Sequence, residues 1–183
     1  SWTFIITGVS RSFTHQVVRH RVGVAFSQLS QQYYEENQPQ FIIPKKIEEN
    51  YSLFSSWQKS VLSLFKTYRE VLEKTKYDTK LNNLCKKEKL REVRSTARSI
   101  LPNATETKIL MTANARAIRH FLNIRGAIEG DSEMRAVCYE LYKIVNSDAP
   151  ELFSDFVVEH TYDGSAKIIK KEYGAYRFVP MLK

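Results

Sequence analysis

Seven residues, Trp57, Val61, Leu64, Phe65, Tyr68, Val71 and Leu72, recur at the i, i+4, i+7, i+8, i+11 spacing of one helical face. A long amphipathic helix beginning after Ser52 is therefore predicted, with its aromatic stripe committed to core. A second helix follows a polar link over residues 78–83, with Leu90, Val93, Ala97 and Leu101 on one face and Pro102 ending it. Lys87, Arg91, Arg94 and Arg98 form a basic stripe on that helix, most of it expected to be a solvated face. Arg98 stands apart because it falls in the last turn beside Ala97 and Leu101.

The rest of the chain reads as mixed. The β-branched and aromatic run from Trp2 to Val9 predicts a strand, after which Ser10 or Ser12 can cap a helix. Phe13, Val17 and Val24 keep helical spacing there, with Gln16 and His20 on the same stripe, so the helix is expected to end near Gly23. Arg19, His20 and Arg21 would then fan around its last turns, where cations suit the dipole. Beyond Tyr34 a polar loop is expected, holding one short extended segment at Phe41–Ile43. Residues 107–112 are either a strand or the approach to the next helix. Asn114 to Gly126 reads as a helix on which Asn114, Ile118, Phe121 and Arg125 share one stripe. A guanidinium on an apolar face needs an internal salt bridge or a bound anion. Arg116 lies about 180° round from Arg125 at about 100° per residue.

A further helix opens near Asp131 and Ser132, with Met134, Val137, Cys138, Leu141, Ile144 and Val145 as core positions. Residues 149–153 read as a short helix. From His160 to Glu172 a hairpin or loop is expected around Asp163 and Gly164, with His160 a surface histidine.

A chain of 183 residues with 43% hydrophobic composition suits one domain spanning residues 1–183. No apolar run approaches bilayer length and no signal peptide is visible, so a cytoplasmic protein without membrane contact is expected. Cys85 and Cys138 show no ligand spacing, so neither a disulfide framework nor a metal site is expected. The net charge of +8 favours anionic partners such as nucleotides, polyphosphates or nucleic acid. There is no GxGxxG, Walker-type or HExxH motif, so any nucleotide must be held in another way.

The stretch from Arg19-His20-Arg21 to Ser27-Gln28-Leu29-Ser30-Gln31-Gln32-Tyr33 is poor core material, with too many donors to bury unpaired. Such donors suit a ligand carrying phosphates and a heteroaromatic ring. Taken alone, the stretch also fits a solvated turn after a helix. Its place among other motifs decides for the ligand. Arg98-Ser-Ile-Leu-Pro102, Asn114-Ala-Arg116-Ala-Ile-Arg-His120-Phe-Leu-Asn-Ile-Arg125, the acidic helix start and Ala149-Pro150-Glu-Leu-Phe153 come in the order and spacing of one family, and Ser10 to Arg19 looks like the helix that leads into its Arg-His-Arg motif. In these motifs the chain, from Trp2 to about Tyr162, resembles the flavin-dependent thymidylate synthases.

The resemblance implies a mixed α/β fold with long helices packed on a small sheet, and a homotetramer whose active sites form between subunits. It implies FAD as cofactor, dUMP as substrate, and methylenetetrahydrofolate and NADPH as co-substrates. Carried over residue by residue, flavin contacts fall on Arg19, His20, Arg21, Gln28, Asn114, Arg116 and His120. Nucleotide contacts fall on Gln16, Gln28, Ser30, Gln32, Arg98 and Arg125. Of these, Arg125 is the implied catalytic residue, favouring ionisation at the pyrimidine N3. No enzyme thiol is implied.

Three departures stand out. One extra residue separates Arg21 from Ser27, the family's usual Arg before the closing Tyr is Gln32, and an N-terminal segment that helps hold the flavin is expected to be missing. Lys45 or Lys46 is the candidate replacement for the lost cation. Gln32 and the insertion motivate a second reading, a flavin-dependent enzyme methylating C5 of another uridine nucleotide. A third is a non-enzymatic protein binding nucleic acid through residues 74–94, although that stretch lacks interleaved aromatics.

Overall fold

The structure, a computed structural model, describes residues 1–33, 38–162 and 164–171. The chain divides into two compact units, Ser1–Ala113 and Asn114–Lys183. The architecture is mixed α/β, helices with small antiparallel sheets.

The first unit is built on a three-stranded antiparallel sheet of order β1-β3-β2, from β1 (Trp2–Ser10), β2 (Val24–Gln28) and β3 (Glu106–Ala113). Central β3 settles the ambiguity over residues 107–112. Thr107, Ile109, Met111 and Ala113 point inward while the alternate residues stay more exposed, the period of a half-buried strand. In β1, Phe4 and Ile6 are buried, and a register shift between Ile6 and Val9 passes the inward position to Val9. Gly8, at φ 68°, supplies the left-handed residue within that shift.

Helix α1 (Arg11–Val17) is capped by Ser10, whose hydroxyl accepts from the Phe13 N–H at 3.0 Å. Its course corrects the expected helix to Gly23. The N–H groups of Arg19 and His20 turn back to the carbonyls of Gln16 and Val17, tightening and ending the helix. Gly23 at φ 73° then reverses the chain into β2. Val24 is not on the helical stripe but pairs with Ala113 across the sheet. A seven-residue spacing from Val17 imitated two helical turns, and the long-range ladder with β3 outweighed it.

Helix α2 (Lys45–Glu48) is short, and α3 (Tyr51–Lys76) is the predicted long helix, capped by Asn50. After a 3-10 turn at Thr79–Asn83 comes α4 (Lys86–Ala97), continued by a 3-10 turn at Arg98–Ile100. Leu101 leaves helical geometry at ψ 133°, as the residue before Pro102 must. Tyr68 and Leu72 of α3 pack with Val93 and Ala97 of α4, with Phe65, Val71 and Leu101 against them. The N-terminal half of the stripe is less covered: Trp57 is half-buried and Leu64 exposed.

In the second unit, α5 (Ala115–Arg125), α6 (Ser132–Asp148) and α7 (Pro150–Phe153) accompany a hairpin of β4 (Phe156–His160) and β5 (Ala166–Lys170). The hairpin begins earlier than expected from His160, and Asp163 and Glu172 lie outside the described residues. Ile118, Leu122, Met134, Cys138, Val145, Phe153 and Ile168 are buried, whereas Ile144, expected in the core, is exposed. Gly126 follows α5 at an ordinary helical φ of −62°. It is glycine for space, since a Cβ there would lie 2.5 Å from the Leu122 carbonyl oxygen and 2.7 Å from that of Ile168.

Candidate functional site

Arg19, His20 and Arg21 occupy the turn between α1 and β2 rather than a helix end, so the dipole argument for them lapses. Arg19 and Arg21 are exposed and His20 is half-buried. The exposure of both guanidinium groups fits the solvated-turn reading. Gln16, half-buried near the end of α1, precedes them.

Gln28 ends β2, and its Nε2 donates to the Thr14 hydroxyl at 2.9 Å. Thr14 and Thr107 are both almost fully buried, and Thr107 lies 3.4 Å from the same nitrogen. The amide thus ties α1 and β3 to β2. A cavity of about 740 Å³ brings Gln28 and Ser30 together with Ser27, Tyr33, Lys108 and Leu110. It is broadly open to solvent rather than enclosed.

Beyond β2 the turn at residues 31–33 is docked on α4. Ser30 accepts from the Gln32 N–H at 3.3 Å, and Gln32 Nε2 donates to Ser95 Oγ at 2.8 Å. Arg94 Nη1 donates to the Tyr33 carbonyl at 2.9 Å. Arg91 donates to the Tyr33 hydroxyl and lies 5.3 Å over its ring. The solvated-face reading of the basic stripe is corrected for Arg91 and Arg94, which are half-buried; Lys87 is exposed. Arg98, exposed, caps α4. Lys45 and Lys46 open α2, while the cations seated on the turn are Arg91 and Arg94. Sequence reasoning missed this arrangement because α4's periodicity carries no trace of residues some sixty positions earlier. Tyr34 to Asn37 lie outside the described residues.

In the second unit, Asn114 is the cap of α5, not a member of its apolar stripe: its Oδ1 accepts from the Ala117 N–H at 2.9 Å. Arg116 and His120, at i and i+4, are both exposed on α5. Arg125 ends the helix half-buried rather than buried. Burial pushes the Cys138 thiol far up, with the positive charge of Arg125 opposing the shift. Cys85 is exposed, and both cysteines are free. Among the described residues no group of three or more His, Cys, Asp or Glu could hold a metal ion, and no helix is long and apolar enough to cross a membrane.

Two further polar groups escaped the sequence reading. Arg135 is buried and donates to the Ile128 carbonyl at 2.8 Å and to Ser165 Oγ at 2.9 Å. Arg119 forks onto Asp155 at 2.6 and 2.5 Å, also donating to the Leu152 carbonyl. The guanidinium lies 5.2 Å from the Phe156 ring centroid. A small cavity of about 170 Å³ beside it is lined by Arg119, His120, Asn123, Phe156 and Lys170.

A sequence model of the family described as thymidylate synthase complementing protein matches residues 1–151. The chain is 40% identical over 167 residues to a flavin-dependent thymidylate synthase of Corynebacterium efficiens, covering 90% of this chain and 65% of that protein. Proteins of the same description are 36% identical over 167 residues in Mycobacterium tuberculosis and 37% identical over 168 residues in Mycolicibacterium gilvum, with the same coverages. The chain thus spans 65% of the length of these curated relatives.

Proposed function

The chain belongs to the thymidylate synthase complementing protein family, and from that premise we propose that residues 1–183 are a flavin-dependent thymidylate synthase domain. The protein methylates dUMP to dTMP with methylenetetrahydrofolate as carbon donor and NADPH as reductant. It works in the cytoplasm as a homotetramer with sites shared between subunits. The observation that carries the reading is that the family match takes in every candidate site residue, from Gln16 to Arg125.

The donor set suits FAD. Exposed guanidinium groups at Arg19, Arg21 and Arg116 are the right chemistry for a diphosphate, and His20, Gln28, Asn114 and His120 supply ring and amide contacts. When bound, the flavin supplies the redox and one-carbon transfer chemistry. The protein's own residues bind and polarise the nucleotide. Gln16, Gln28, Ser30, Gln32 and Arg98 hold it, and Arg125 places a positive charge at the pyrimidine N3, favouring its ionisation and so activating C5. The buried, protonated thiol of Cys138 has no part in this.

Arg125→Ala tests the assignment. Turnover should disappear while flavin stays bound, as read by single-turnover kinetics and absorbance. Loss of bound flavin, with turnover of dUMP restored by added FAD, would move Arg125 from the nucleotide to the cofactor.

A further inference from the structure

The net charge of +8 is unevenly placed along the chain. Residues 59–98 hold twelve lysines and arginines against five acidic residues, while the remaining residues hold sixteen against fifteen. Such asymmetry marks either a solvated face or a surface for a polyanion, and the partners of each charge decide between them. α3 and α4 form a helical hairpin, with Tyr68 and Leu72 packed on Val93 and Ala97, and the link over residues 77–85 closes its end. Around that end stand six lysines, at residues 74, 76, 80, 86, 87 and 89, with the carboxylates of Asp78 and Glu88. Both carboxylates are engaged. Asp78 Oδ1 accepts from the Lys80 N–H at 2.9 Å, and Glu88 meets Arg91 at 3.2 Å. Lys76 pairs with Glu73 at 2.8 Å, and Lys89 donates to Asn82 at 2.9 Å. Lys74, Lys80, Lys86 and Lys87 are exposed and form no ion pair among the described residues.

Tyr77, the single aromatic of residues 74–94, stands among these lysines at the C-cap of α3 and is 81% exposed. A lone exposed tyrosine means little. Beside four uncommitted ammonium groups it adds a ring on which a base can stack. A bilayer surface needs an apolar helix face to lie on it, and the apolar faces of α3 and α4 are packed against each other. Lysines are point charges on flexible stems, without the fork that fixes a single carboxylate, and they suit the repeating phosphodiesters of a flexible strand. We infer that the closed end of the α3–α4 hairpin binds single-stranded nucleic acid, with Lys74, Lys80, Lys86 and Lys87 on phosphates and Tyr77 stacked on an unpaired base. This surface is separate from the proposed synthase chemistry, since none of its residues belongs to the candidate site.

The test is fluorescence-anisotropy titration of the full-length protein with labelled ribo- and deoxyribo-oligoadenylates over a range of salt, with and without saturating dUMP. Adenine strands keep uracil out of the measurement. Changing Lys80, Lys86 and Lys87 together to Gln should lower the slope of log affinity against log salt by about 2, at roughly 0.7 per phosphate contact on a single strand. Lys59, Lys143 and Lys171 changed together to Gln, the same loss of charge at exposed positions away from the hairpin end, should leave the slope as it was. Tyr77→Ala should weaken the oligoadenylates about fivefold or more without changing the slope, and should leave binding of a DNA duplex unaltered. Turnover of dUMP should be the same in all three variants, so the fate of the synthase reading is read independently. Equal slope changes in the two triple variants would trace binding to net charge alone. Displacement of the strand by dUMP would move it to the nucleotide site. Phosphatidylserine vesicles bound in place of oligoadenylate would give the lysines to a membrane. Each of these results, like an absence of oligoadenylate binding at low salt, overturns the inference.

Discussion

Asn114 and Gln28 each do structural work with the groups a ligand would use. Asn114 satisfies one of the open N–H groups at the start of α5, so Asn114→Ala should cost about 1 kcal/mol of stability by thermal or denaturant unfolding. Asn114→Ser should restore the cap. If the amide also contacts the flavin, Asn114→Ser will recover stability without recovering flavin affinity; recovery of both would reduce the residue to a cap. At Asp155, the forked hydrogen bonds of Arg119 hold the carboxyl below its ordinary range. Because the folded value is the lower one, the stabilisation is fully present above the ordinary carboxylate pKa and is lost as pH falls through the folded value. Asp155→Asn should remove about 1–3 kcal/mol at neutral pH and flatten the acid limb of the stability profile. An acid limb unchanged in the variant would show that other carboxylates set it.

At the scale of elements, the sequence is informative where periodicity is long and misleading where it is short. The face from Trp57 to Leu72 extends through so many turns that no other element could carry it, and α3 appears where expected. Val17 and Val24 offer only one coincidence of spacing, and pairing of β2 with β3 overrode it. The candidate polar residues stood out by type and order, since Arg, His, Gln and Ser in such density are poor core material. Their surroundings did not. Nothing local to α4 announces that Arg91, Arg94 and Ser95 hold Gln32 and Tyr33. Gly126 was legible as the end of α5, but its reason was not, because the space is closed by the Leu122 carbonyl together with Ile168 of β5. Ile168 also donates its N–H to the Gly126 carbonyl at 2.9 Å. Gly126→Ala should therefore destabilise by roughly 3 kcal/mol, as the neighbours within reach of the new methyl include backbone oxygens that cannot turn aside. A variant with unchanged unfolding midpoint would mean that the hairpin shifts away from α5 at little cost.

For the whole molecule, a net charge of +8 with exposed arginines at residues 19, 21, 98 and 116 describes a surface suited to anionic ligands. Under the proposed function those ligands are a flavin and a nucleotide. The chain covers 65% of its relatives' length. The most direct test is the absorbance spectrum of the purified full-length protein during titration with dUMP and then UMP. A bound flavin whose spectrum shifts with dUMP is the predicted result, and a response to UMP alone would transfer the chemistry to another uridine nucleotide. Absence of bound flavin, even after addition of FAD, would contradict the synthase account.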